Sequence, residues 1–228
     1  MLKASKDKVN FVNNQELVDR INSGYTVKRV SRHTQKKTFA PSTVAYGHGE
    51  CPRYWYIAFD GAEFSDNADA YGAANMTAGT KSHERIQEAM GNVEGFLTDV
   101  EFKITHVDPP IFGFGDVMLN WDGKELLGEI LNKTEAVLIY ENKNNHELLI
   151  LPVEMSDYYT KWVDGTFNWL RSVRKAWADR TMPEKNYRSN SRICKSCPVK
   201  ATCDVAGKGD IKLLSLEPID EKQALPMV

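Results

Sequence analysis

Cysteine occurs at four positions only: Cys51, Cys194, Cys197 and Cys203. One lies in the first quarter of the chain and three lie close together near the far end. A site that uses all four must therefore fold the two ends against each other. Cys194 and Cys197 have two residues between them, and Cys197 and Cys203 have five. The close pair places two thiolates on one metal, and the third returns on a short loop. Three ligands leave a tetrahedral centre one short, and Cys51 is the only cysteine left. Four thiolates suit either a [4Fe–4S] cluster or structural zinc. Residues 1–15 lack the apolar stretch of a signal peptide. The longest apolar runs, Ala136–Tyr140 and Leu148–Val153, are too short to span a bilayer. A cytoplasmic protein with no membrane partner is expected. In a reducing compartment four cysteines argue for metal rather than disulfides.

Around the cysteines the chain alternates between helical and strand patterns. Asn14–Ile21 reads as a short helix. The aromatic run from Arg53 to Phe59 reads as a buried helix or turn beside Cys51. Asp66–Asn75 is small and polar, which predicts a loop. Ala78–Met90 has helical periodicity, with Gly79-Thr80 at its start, His83, Ile86, Gln87 and Met90 on one face, and Gly91 at its stop. Leu97–His106 alternates as a strand, Asp108-Pro109-Pro110 breaks it, and Phe112–Trp121 is the next strand. Asp122-Gly123 is a strong hairpin signal, followed by a third strand over Glu125–Ile130. Glu135–Glu141 and Glu147–Glu154 form another hairpin around Lys143-Asn144-Asn145. Ser156–Arg180 is one long amphipathic helix, with Tyr159, Trp162, Val163, Phe167, Leu170, Val173 and Trp177 inward. An irregular basic tail follows. The expected class is α/β. With 228 residues, of which 42% are hydrophobic, the chain has enough apolar material for one domain with a small appendage.

Three further residues form a second constellation. His83 lies on the predicted helix, Asp116 opens a strand, and Glu129 closes the partner strand across the Asp122-Gly123 turn. Residues near the open ends of an antiparallel hairpin lie close together, so Asp116 and Glu129 converge at one sheet end. Two carboxylates make a hard oxygen site for Mg²⁺ or Mn²⁺, and a nearby imidazole favours Mn²⁺ somewhat. Such a metal activates water and stabilises charge on a phosphodiester. The net charge of −2 gives no global basic field. DNA, if bound, must use a local basic groove. Lys3, Lys6, Lys8, Lys28, Arg29, Arg32, Lys36 and Lys37 gather near the start, and Arg188, Arg192, Lys195 and Lys200 surround the tail cysteines.

From Ser42 to Cys203 the order of these motifs resembles the RecB-type iron–sulfur exonucleases, the Cas-four family and its phage-encoded relatives, within the PD-(D/E)XK nuclease superfamily. Cys51-Pro52-Arg53-Tyr54-Trp55 looks like the family's first-cysteine motif. Gly79-Thr80-Lys81-Ser82-His83-Glu84 resembles the helix that supplies a metal-binding histidine. Gly115-Asp116 resembles the aspartate motif, and Gly128-Glu129-Ile130 the start of the glutamate–x–lysine motif. Cys194, Cys197 and Cys203 match the trailing cysteine triplet. The resemblance implies a restriction-endonuclease-like mixed sheet flanked by helices. It divides the chain into a basic segment over 1–41, a nuclease-like domain over 42–183 and an iron–sulfur tail over 184–228. It implies a structural [4Fe–4S] cluster on the four cysteines and Mg²⁺ or Mn²⁺ held by His83, Asp116 and Glu129. The implied activity is metal-dependent DNA cleavage, mainly exonucleolytic on single-stranded ends. The implied setting is the cytoplasm of a bacterial or phage-infected cell, with recombination or CRISPR-adaptation proteins as further partners.

Two departures bear on that activity. Leu131 stands where the family has the water-positioning lysine. Lys133 shares the face of Glu129 if the strand continues, but about 7 Å further along. The family also places a helix bearing a glutamine and a tyrosine after this strand. Here Glu129-Ile130 runs almost directly into the next strand, and no glutamine occurs between Glu129 and Arg180. These departures favour an alternative, a nuclease-fold protein that binds DNA or a partner but cuts poorly.

Overall fold

The computed structural model describes residues 14–26, 32–33, 36–65, 69–121, 123–127, 136–142, 144–153 and 156–220. Helix α1 spans Asn14–Thr26, strand β1 Arg32–His33, α2 Pro41–Val44, α3 Pro52–Phe59, β2 Glu63–Phe64 and α4 Ala70–Gly91. Five strands follow, β3 (Leu97–His106), β4 (Ile111–Trp121), β5 (Lys124–Leu127), β6 (Ala136–Glu141) and β7 (Leu148–Val153). Three helices complete the described chain, α5 (Asp157–Ala178), α6 (Arg192–Ser196) and α7 (Lys200–Val205). The expected mixture of helix and strand is present, and none of the described helices is long and apolar enough to cross a membrane.

The principal sheet runs in the order β3-β4-β5-β6-β7. Its pairs are antiparallel except β5 with β6, which run parallel with Leu127 opposite Ala136. The turn foreseen at Asp122-Gly123 joins β4 to β5, with Trp121 opposite Lys124. Gly123 takes a φ of 78°, which a side chain would resist. The helix foreseen from Ala78 starts earlier, at Ala70, and takes in part of the expected loop. The cap is Asp69, whose carboxylate accepts from the Gly72 amide at 2.7 Å, and Gly79 sits within the helix rather than at its start. The tail is not wholly irregular, because α6 and α7 carry the cysteines.

The main core gathers on α3. Pro52 occupies the first turn, where its missing N–H costs nothing, and every residue from Pro52 to Phe59 except Tyr56 is buried. A helix buried around most of its circumference must be covered on several sides. Phe39 supplies one cover, with its ring edge-on to Trp55 at 4.9 Å and to Phe59 at 5.0 Å. Leu170 and Val173 of α5 supply another, and Cys197 and Val199 from the tail a third. Phe39 also ties this core to the sheet. Its amide donates to the Pro110 carbonyl and its carbonyl accepts from the Phe112 amide. On α5 the most deeply buried residues are Thr166, Leu170, Val173 and Ala176. Trp162 and Trp169 instead clasp the extended tail, donating indole N–H to the carbonyls of Glu217 and Leu214. A smaller cluster joins Val117 and Leu119 of β4 to Met90 of α4 and to Phe96 and Leu97.

Candidate metal centres

The four cysteines, divided between the first and last parts of the chain, line one cavity. Cys51 caps the N-terminus of α3, Cys194 lies on α6, Cys197 ends α6, and Cys203 lies on α7. The cavity, counted with its open mouth, encloses about 330 Å³, and His48, Tyr54, Lys185 and Tyr187 contribute to its wall. Local hydrogen bonds set the tail cysteines. Ser191 Oγ accepts from the Cys194 amide at 3.2 Å, and the Cys197 amide donates to the Cys194 carbonyl at 3.3 Å. Burial pushes the Cys51 thiol above its ordinary value. Burial, reinforced by the neighbouring cysteines, pushes Cys197 up to about 12. Without metal these two sulfurs are protonated at neutral pH. A bound cation reverses that balance, because a coordinating thiol is deprotonated outright.

Arg53, two residues from Cys51, is the residue whose role the sequence conceals. Its side chain is buried, and among the described residues it has no carboxylate partner. One guanidinium nitrogen donates to the Pro183 carbonyl at 3.0 Å, and the other to Gly207 at 2.6 Å and Cys203 at 3.5 Å. The Cys203 and Gly207 carbonyls lie at and just beyond the end of α7, where a helix leaves acceptors without internal partners, and Pro183 lies in the segment before α6. Arg53 thus fastens the cysteine tail to α3 independently of any metal. Trp55 fixes the other side of the motif, donating to the Gly49 carbonyl at 2.8 Å. Ser65 and Glu50 add further ties, the first to the Pro198 carbonyl and the second to the Tyr187 hydroxyl.

The second constellation is partly assembled. His83 Nε2 lies 3.2 Å from Asp116 Oδ2, with both side chains more than half exposed. One turn further along α4, Gln87 donates to the Asp116 backbone carbonyl at 3.1 Å, so the helix grips β4 at this residue twice. Gly115 is needed beside it. The ring of Phe102, cross-strand from Gly115, fills the space where a side chain would stand, and a Cβ there would lie 2.1 Å from Phe102 Cζ. Glu129, Lys133 and Leu131 lie outside the described residues. Among the described residues no group of three or more histidine, cysteine, aspartate or glutamate side chains converges on a single ion.

The register reveals another acid near this site. Glu101 falls between the Val100–Val117 and Phe102–Gly115 rungs, and so opposite Asp116, with a φ of 49°. Counting back from the Asp122-Gly123 turn does not reach it, because its position is set by the β3–β4 register, which runs unbroken from His106–Ile111 to Asp99–Met118. Glu141-Asn142-Lys143 also spells glutamate–x–lysine, and Glu141 is the last residue of β6. Its carboxylate is engaged by Arg85 of α4 and by His146. Comparison with protein-family models, with curated proteins and with solved structures finds no match.

Proposed function

We propose that the protein is a metal-dependent exonuclease of PD-(D/E)XK type acting on single-stranded DNA, with a structural [4Fe–4S] cluster on Cys51, Cys194, Cys197 and Cys203. The contact between His83 and Asp116 carries this reading. These residues come from separate elements, α4 and β4. The parallel pairing of β5 with β6 beside the β3–β4–β5 meander also suits the architecture. His83 and Asp116 would hold Mg²⁺ or Mn²⁺ together with Glu129, and Lys133 would orient the attacking water. The ion supplies activation of water and stabilisation of charge on the phosphodiester.

Four cysteines around one cavity suit a polynuclear cluster or zinc, and the resemblance favours the cluster. Zinc–sulfur bonds of about 2.3 Å draw four thiolates around one point. In a cubane each thiolate binds its own iron, so the sulfurs stand further apart. All four cysteines line one cavity. The cluster's role would be to pin the tail to α3.

One observation favours the second reading, a nuclease-fold protein that binds DNA without efficient cleavage. Parallel strands usually need a crossover of about a dozen residues or more. Only residues 128–135 separate β5 from β6. That span contains neither glutamine nor tyrosine. Incubation of 5′-labelled single-stranded DNA with Mn²⁺, comparing wild type with Asp116→Ala, separates the two readings. Degradation by wild type and not by the variant supports the enzyme. Retardation in a gel with no degradation supports the binding protein.

A further inference from the structure

Strand β4 aligns three exposed side chains, Phe112, Phe114 and Asp116, at alternate positions on one face. The other face is closely packed. It carries Gly113 against Pro41, Gly115 under Phe102, and Val117 and Leu119 in the smaller core. Phe112 and Phe114 are 37% and 53% exposed, and their rings meet edge-to-face at 5.2 Å. Large rings left half in water forgo much of the stabilisation that burial provides. Their cross-strand neighbours are Lys103, opposite Phe114, and Thr105, opposite Phe112, both exposed. Lys103 forms no ion pair among the described residues.

We propose that Phe112 and Phe114 form a base-stacking platform on which single-stranded DNA approaches Asp116, with Lys103 meeting a backbone phosphate. The inference rests on the reading of Asp116 as part of a DNA-cutting site, and it assigns substrate selection to residues outside the metal ligands. Aromatic faces beside a cation suit a strand that offers both π-faces and negative charge. An apolar protein partner fits less well, because covering the rings would desolvate an unpaired ammonium. Phe114 precedes Asp116 by two residues, about 7 Å along the strand, so a base on that ring holds the chain within one nucleotide of the carboxylate. Duplex bases have their faces already stacked, so the platform discriminates against double strands.

The test is the anisotropy of a fluorescein-labelled oligothymidylate measured in EDTA, where cleavage is silent. The Phe112→Ala/Phe114→Ala double variant is expected to lose at least about tenfold in affinity for the single strand and nothing for a duplex. Lys103→Ala is expected to weaken binding modestly and to lower the salt slope by about one. An oligonucleotide with abasic sites tests stacking on wild type alone, and is expected to bind it as weakly as the normal strand binds the double variant. Unchanged single-strand affinity in a double variant that melts normally overturns the platform, as does equal wild-type affinity for the abasic strand. A wild-type dimer that the double variant turns into monomers, with DNA affinity unchanged, also overturns it and makes the rings a protein contact. If wild type binds the single strand through the rings yet never cuts it, the platform stands and the enzyme reading falls. If wild type binds no single strand, both fall.

Discussion

Replacing Arg53 by alanine removes two well-formed charge-assisted hydrogen bonds, to Pro183 at 3.0 Å and Gly207 at 2.6 Å, and weakens the approach to Cys203. Hydrogen bonds to a charged group contribute about 1.5–3 kcal/mol each, and a truncated side chain leaves the buried Pro183 carbonyl without its donor. Arg53 is 1% exposed, so water does not readily replace it. A loss of about 3–5 kcal/mol follows, because both bonds belong to one residue and share its desolvation. For a chain of this size each kcal/mol moves the melting temperature by about 2–4 °C, giving a fall of roughly 6–20 °C. Anaerobic thermal melts followed by circular dichroism measure it, and hydrogen exchange over residues 200–210 reports whether the tail loosens first. Arg53→Lys keeps the charge but not the fork, and an intermediate fall is expected. A shift below about 3 °C for Arg53→Ala, with tail exchange unchanged, refutes the assignment of Arg53 as the tail's anchor.

The remaining predictions concern the two candidate centres. Anaerobically purified protein is expected to be brown, with a broad visible absorbance that Cys197→Ala abolishes; colourless protein with stoichiometric zinc contradicts the cluster. Cys197→Ala is also expected to lower the melting temperature more than it alters any DNA-cutting site, because ligation is coupled to folding. An unchanged melt in a soluble variant counts against this. Gly115→Ala forces the Phe102 ring to move and is expected to cost about 1–3 kcal/mol, read in the same melts. Asp116→Ala is expected to reduce Mn²⁺ affinity in calorimetry by about tenfold or more without lowering the melting temperature, since its side chain is 66% exposed. Equal Mn²⁺ affinity in this variant would place the ion elsewhere.

Local chemistry made much of the strand order readable in advance. The period-two pattern over Leu97–His106 and the Asp122-Gly123 turn each specify structure within a few residues, and both elements formed where the pattern puts them. Ser156 likewise announces α5 by a hydroxyl that accepts from the Tyr159 amide. The start of α4 escapes a periodic reading because Ala70, Tyr71 and Ala73 carry little periodicity, while the deciding signal, Asp69 as a cap, sits within a polar stretch that also suits a loop. Arg53 could not be assigned from sequence, because its partners are backbone carbonyls more than a hundred residues away. Composition records no carbonyls. The meeting of His83 with Asp116 is legible as a motif order, but Glu101 opposite Asp116 depends on the pairing register of β3 with β4, which alternation alone does not encode.

The covering of α3 bears on how the chain acquires its shape during synthesis. The helix is complete once Phe59 has been added, yet Leu170, Val173, Cys197 and Val199 all belong to its core. The amide of Leu216 donates to the carbonyl of Glu50. Trp55 and its neighbours therefore wait for residues made well over a hundred positions later before they leave water. Contacts of such long sequence separation close slowly, and apolar surface exposed meanwhile invites association with other nascent chains. A ribosome stalled before residue 190 would hold all the strands of the five-stranded sheet beside a helical core still lacking Cys197 and Val199.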